Sequence, residues 1–141
     1  MHKEWIVKPD FSGEYILNRE ASTLSAAGAD RVQTASLCIK HDEPNFSCQG
    51  TFSFINGKPV EWTFELATSG GAVVETEPGA SLHWDGRALI FTSRSEGMTI
   101  TFRYEFDEEG RLRLSEQLRG TDHDQDNLWI FDRSGGSVFR N

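Results

Sequence analysis

The sequence predicts one all-β domain, a single up-and-down antiparallel β-barrel of about 8–10 strands with a short helical segment between the first two strands. Three features carry this expectation. Apolar residues recur at every second position in one run after another, turn-forming residues separate the runs at short intervals, and only Arg19–Ala29 departs from strand patterning.

The first strand is expected over 11–18, opening at Phe11-Ser-Gly-Glu-Tyr15. Arg19–Ala29, where Ala and Ser cluster, reads as a short helix or helical turn ended near Gly28. Strands follow over 31–41 and 46–55, and the latter sets Phe46, Cys48, Gly50, Phe52 and Phe54 on one face. Val60, Trp62, Phe64 and Leu66 do the same over 59–67, before shorter runs at 72–76 and 81–84 and a strand over 87–95. Met98–Phe106 is the clearest run. Met98, Ile100, Phe102, Tyr104 and Phe106 face one way, and Thr99, Thr101, Arg103 and Glu105 the other, as a half-buried strand requires. Strands over 111–119, with Leu112, Leu114 and Leu118 in phase, and 127–133 complete the set.

Asp42-Glu43-Pro44-Asn45, Asn56-Gly57, Ser69-Gly70-Gly71, Asp85-Gly86, Glu96-Gly97 and Glu109-Gly110 fall between the runs as turn residues. Links this short join sequential antiparallel neighbours and exclude helix crossovers. A sheet this long twists and curls, and closure removes its edges; a two-sheet sandwich is the competing architecture. The barrel domain is expected over 11–133, between an N-terminal extension (1–10) and a loose C-terminal tail (134–141).

A chain of 141 residues can build a core that stands without disulfide staples. No apolar run of about 18 residues occurs, so no membrane insertion is expected. Fourteen basic against 22 acidic residues give a net charge of −8, which repels phosphate backbones and argues against a nucleic-acid partner. The N-terminal Met1-His-Lys-Glu-Trp5 lacks the apolar stretch of a signal peptide. A cytoplasmic location is therefore expected, with a secreted origin after leader removal as the alternative.

Several segments resemble a known group. Phe11-Ser-Gly-Glu-Tyr15 resembles the F-x-G-x-W opening of lipocalin-type barrels, and Leu17-Asn-Arg-Glu-Ala-Ser22 follows as in small bacterial lipocalin-like domains. Trp84-Asp-Gly-Arg-Ala-Leu89 resembles their W-D-G-x-x-L hairpin, and Leu128-Trp-Ile-Phe-Asp-Arg133 their closing strand. The resemblance spans about residues 11–133 and implies a calycin-type barrel, the group of lipocalins and fatty-acid-binding proteins, which carry apolar ligands inside. It further implies that Arg133 packs over Tyr15 and plugs one end. The Arg-x-Tyr carboxylate clamp common among fatty-acid-binding members is replaced here by Trp129-Ile-Phe-Asp-Arg133.

Among single residues, Glu116 stands out because counting by two from Leu112 and Leu114 puts it on the apolar face. There it is either a ligand anchor or acid/base, with Tyr104 of the neighbouring strand as partner, or a residue wetted at the barrel mouth or paired with an Arg inside. A hairpin centred on Glu43 would set Cys38 directly opposite Cys48, within reach of a cross-strand disulfide; reduced thiols are the expectation in a cytosolic protein. Asp122-His-Asp-Gln-Asp126 has carboxylates at alternate positions but lacks the Gly and Glu of a calcium loop, so a solvated acidic turn is expected. His83 is out of phase with Leu82 and Trp84 and should face solvent. No nucleophile context, phosphate loop or zinc spacing is present, so neither cofactor nor metal is expected.

Three functions remain open. The first and preferred is a binding or carrier protein for a small hydrophobic molecule, held by Phe52, Phe54, Trp62, Phe64, Phe91, Ile100, Phe102, Tyr104 and Glu116. The second is a filled barrel serving as a structural or protein-interaction module, with Trp5-Ile-Val7 or Trp129 as an exposed contact patch. The third is a small enzyme using Glu116 and Tyr104 as acid/base.

Overall fold

The computed structural model describes residues 8–24, 29–55, 57–68, 79–120 and 124–134. Within them nine antiparallel strands form one sheet: β1 (Gly13–Leu17), β2 (Val32–Asp42), β3 (Asn45–Phe54), β4 (Val60–Ala67), β5 (Ala80–Asp85), β6 (Ala88–Ser95), β7 (Met98–Phe106), β8 (Leu112–Gly120) and β9 (Asp124–Ser134). Their order is β4-β3-β2-β1-β9-β8-β7-β6-β5, so each strand lies beside its sequence neighbour except where β1 pairs with β9. That pairing rolls the meander into a nearly closed barrel, which answers the choice between barrel and sandwich. Among the described residues no ladder joins β4 to β5, and a seam runs between them. The run expected at 72–76 lies outside the described residues, as do the patch at 5–7 and most of the tail.

The helical segment shrinks to a single 3-10 turn, Ala29–Arg31, among the described residues. Local side chains compete with helix formation in the stretch before it. Asn18 accepts from the Ala21 N–H through Oδ1, and the Ser22 hydroxyl accepts from the Ile130 N–H at 2.8 Å. Thr23 bridges to Leu128. Residues 18–24 are thereby tied to β9.

The cysteines are a correction. Asp42 pairs with Asn45, so the β2–β3 turn holds only Glu43 and Pro44, and the register sets Cys38 against Gln49 and Ile39 against Cys48. A turn of two residues shifts the pairing by one position relative to a hairpin centred on Glu43. Because side chains alternate between faces, Cys48 then points inward and Cys38 outward, and no disulfide forms.

One end of the barrel is packed solid. The Phe11 ring stacks on Phe106 (5.0 Å) and Trp84 (6.1 Å) and meets Phe46 and Tyr104 edge-on. The fully buried Tyr15 donates its hydroxyl to the Phe11 carbonyl at 2.7 Å. Outside this layer the Arg133 guanidinium lies 5.4 Å from the Tyr15 ring and 5.1 Å from the Phe106 ring, and donates to the Ser12 carbonyl. Its cation–π contacts cap the end, as the resemblance implied. Gly13 sits at φ 145° beneath it, and a Cβ there would lie 3.1 Å from an Arg133 nitrogen.

Glu43 fastens the same end across the seam. The Phe11 N–H donates to His41 Nδ1, which leaves Nε2 to carry the ring proton and donate to Glu43 Oε1 at 2.8 Å. Glu43 Oε2 accepts from the Thr68 hydroxyl (2.5 Å), just past β4, and from the Trp84 indole (3.0 Å) on β5. Burial pushes the Glu43 carboxyl up, but hydrogen bonds from Thr68, His41 and Trp84 together hold it below its usual range.

Candidate functional site

The other end is hollow. The inward positions of β3 and β4 that carry Phe46, Cys48 and Leu66 in the packed half carry Phe64, Trp62 and Phe52 further along, where the walls separate. A cavity of about 300 Å³ results. Leu37, Tyr104, Leu114 and Phe131 form its floor, and all four are buried. Phe52, Trp62 and Phe64 line one wall, and Phe91, Ile100 and Phe102 the opposite one. Trp129 completes it, with Thr63 and Ser93 as its small polar members.

Ring contacts join these walls into a belt. Phe102 meets Phe91 at 6.3 Å, Phe91 stacks on Phe64 at 4.7 Å, and Phe64 lies parallel to Trp62 at 6.1 Å. Trp62 meets Phe52 edge-on, and Phe52 stacks on Trp129 at 5.4 Å. The Phe64–Phe91 stack bridges β4 and β6, over the inner side of the seam. Gly50 makes room for this arrangement. It is the cross-strand partner of Trp62, and a Cβ there would fall 2.4 Å from the indole. Without that side chain the indole packs directly over the Gly50 backbone.

Seven of the nine residues expected to bind ligand line this cavity: Phe52, Trp62, Phe64, Phe91, Ile100, Phe102 and Tyr104. Phe54 and Glu116 line a smaller adjoining cavity of about 130 Å³, which shares Phe52 and Trp129 with the larger one. The sequence reading missed Leu37, Leu114, Trp129 and Phe131 as lining residues. Their strand parity pointed inward, but parity does not say which rung of a strand borders a void.

Glu116 faces inward as expected, opposite Asn127 in the β8–β9 ladder. Its Oε1 accepts from the Trp129 indole at 2.8 Å and from the Asn127 amide at 3.1 Å. Tyr104 is not its partner, which corrects the proposed acid/base pair. Phe102 is the residue opposite Glu116 on β7, and Tyr104 pairs with Leu114 one inward rung lower, where its ring borders Phe11 and Phe46. Burial, with the neighbouring Cys48 thiol, pushes the Tyr104 hydroxyl well above its ordinary range, and burial lifts Cys48 to about 12. Neither group ionises near neutrality. The exposed patch expected at Trp129 is also corrected, since its indole is 5% exposed and faces the interior. His83 is exposed, in line with its phase.

Strand order, closure of β1 on β9 and the count of nine strands among the described residues define an up-and-down antiparallel β-barrel. Among solved structures the chain is similar to a fatty-acid-binding protein of Schistosoma mansoni in complex with arachidonic acid. The two share 14% identity and a TM-score of 0.54, over 89% of this chain and 96% of that one. At this identity the likeness is one of fold. No protein-family model matches the sequence, and no curated protein is significantly similar to it.

Proposed function

We propose that this chain is a binding or carrier protein for a small hydrophobic ligand, held at the hollow end of the barrel by Phe52, Trp62, Phe64, Phe91, Ile100, Phe102 and Tyr104. The observation that carries the reading is the cavity of about 300 Å³, whose walls are almost wholly aromatic and aliphatic. A packed core leaves few voids larger than a water molecule, so an apolar space of this size in a small domain favours an occupant over a filled module. The solved neighbour, a fatty-acid-binding protein, supports the reading at the level of fold.

The test is native mass spectrometry of protein purified from a lipid-rich host, before and after organic extraction. An added mass of constant value, lost on extraction, is expected. Bare protein mass in every preparation, with no uptake of added apolar probes, would overturn the reading.

A further inference from the structure

We infer that the ligand carries a hydrogen-bond donor, a hydroxyl or an amine on a compact ring system, and that Glu116 receives it. This rests on the carrier reading above and deepens it. Three observations converge. First, no Lys or Arg lines the larger cavity or the smaller one adjoining it, among the described residues. An anionic head would enter without a counter-charge, into a protein of net charge −8. Second, Glu116 borders both the smaller cavity and an open surface pocket that also holds Arg113, and it has an acceptor to spare. Oε1 takes both the Trp129 and the Asn127 hydrogen bonds, and Oε2 accepts none from the described residues. Those two bonds fix the carboxyl group through Oε1 and leave Oε2 as its open acceptor among the described residues. Third, the lumen is walled by ring faces, whose negative quadrupoles attract positive and donor groups and repel anions.

Size narrows the class. An apolar cavity of about 150 Å³ accommodates one benzene ring. The larger cavity here, at about 300 Å³, therefore has room for two fused rings, with Glu116 lining the smaller cavity that shares Phe52 and Trp129 with it.

Equilibrium dialysis with naphthalene, 2-naphthol and 2-naphthoate at neutral pH tests the inference, since the three differ only in the head group. 2-Naphthol is expected to bind roughly tenfold tighter than naphthalene, because a charge-assisted hydrogen bond outweighs the desolvation of its hydroxyl. 2-Naphthoate is expected to bind more weakly than either. Glu116→Gln keeps an oxygen for Trp129 and turns an NH2 towards the cavity. It should abolish the preference for 2-naphthol over naphthalene and raise the affinity for 2-naphthoate. Equal binding of all three by the native chain, or tightest binding of 2-naphthoate, would overturn the inference and leave the carrier reading standing. Binding of none would overturn the inference, and the carrier reading falls with it only if native mass spectra also show bare protein in every preparation. A preference for 2-naphthol that survives in Glu116→Gln would remove Glu116 as its receiver.

Discussion

At the scale of single residues, the two cysteines show how much one register step decides. Cys48 is fully buried among Phe46, Phe64 and Tyr104, while Cys38 lies on the outer face of β2 and is partly exposed. Iodoacetamide at about pH 8 should therefore modify one thiol per native chain, Cys38, and reach Cys48 only after denaturation. Burial, by lifting the Cys48 thiol to about 12, removes the thiolate as well as the access. Equal labelling of both thiols in the native state would contradict the register, and so would protection of both that reductant relieves. Gly50 is the complementary case. Its missing side chain is what the Trp62 indole rests on, so a position that reads as a weak point in a strand shapes the cavity wall.

At the scale of elements, the seam between β4 and β5 is the one place where neighbouring edges of the described sheet meet without a ladder. It is held at the packed end by the Glu43 carboxylate, which reaches Thr68 on one side and Trp84 on the other. Glu43 ionises more readily folded than unfolded, so its contribution is fully present above about pH 4.5 and is lost as pH falls through the lower folded value. The thermal midpoint should fall as pH is lowered from about 5 to 3, and Glu43→Gln should flatten part of that slope. Only part is expected, because Asp10 and Asp107 are also held below their ordinary range by hydrogen bonds that outweigh their burial. The Glu43 side chain is about half exposed, so the effect is a modest one, screened by solvent. An unchanged slope in the variant would show that the clasp adds no stability.

At the scale of the whole molecule, the barrel is asymmetric along its axis. The end that carries the Glu43-Pro44, Gly86-Arg87 and Asp107–Arg111 turns is filled by Phe11, Tyr15, Phe46 and Leu112, whereas the far end encloses the cavity. Phe46 is fully buried and touches rings on four sides; Phe102 is half-buried and borders the void. Urea melts should accordingly show a loss of about 3–5 kcal/mol for Phe46→Ala. Phe102→Ala should lose only about 1–2 kcal/mol, since much of its surface has no packing partner to lose. Equal losses would mean that the far end is as tightly packed as the near one. A stable base with a loosely filled mouth fits the proposed role as a carrier.

The sequence by itself determined the alternation, the turns and hence the antiparallel meander. Each is a local property: a side-chain period of two, glycines free to take positive φ, and links too short for crossovers. It also placed Phe52, Trp62, Phe64, Phe91, Phe102 and Glu116 on the inner face, because parity survives any mode of closure. Tertiary structure alone decided three matters. Closure of β1 on β9 turned the meander into a barrel; the two-residue turn at Glu43-Pro44 separated the cysteines; and the rungs bordering the void selected Trp129 and Phe131 as lining while leaving Tyr104 on the floor. The physical reason is the same in each. A face is set by one strand, but a partner and a void are set by where distant strands stand relative to it, and no local pattern records that distance.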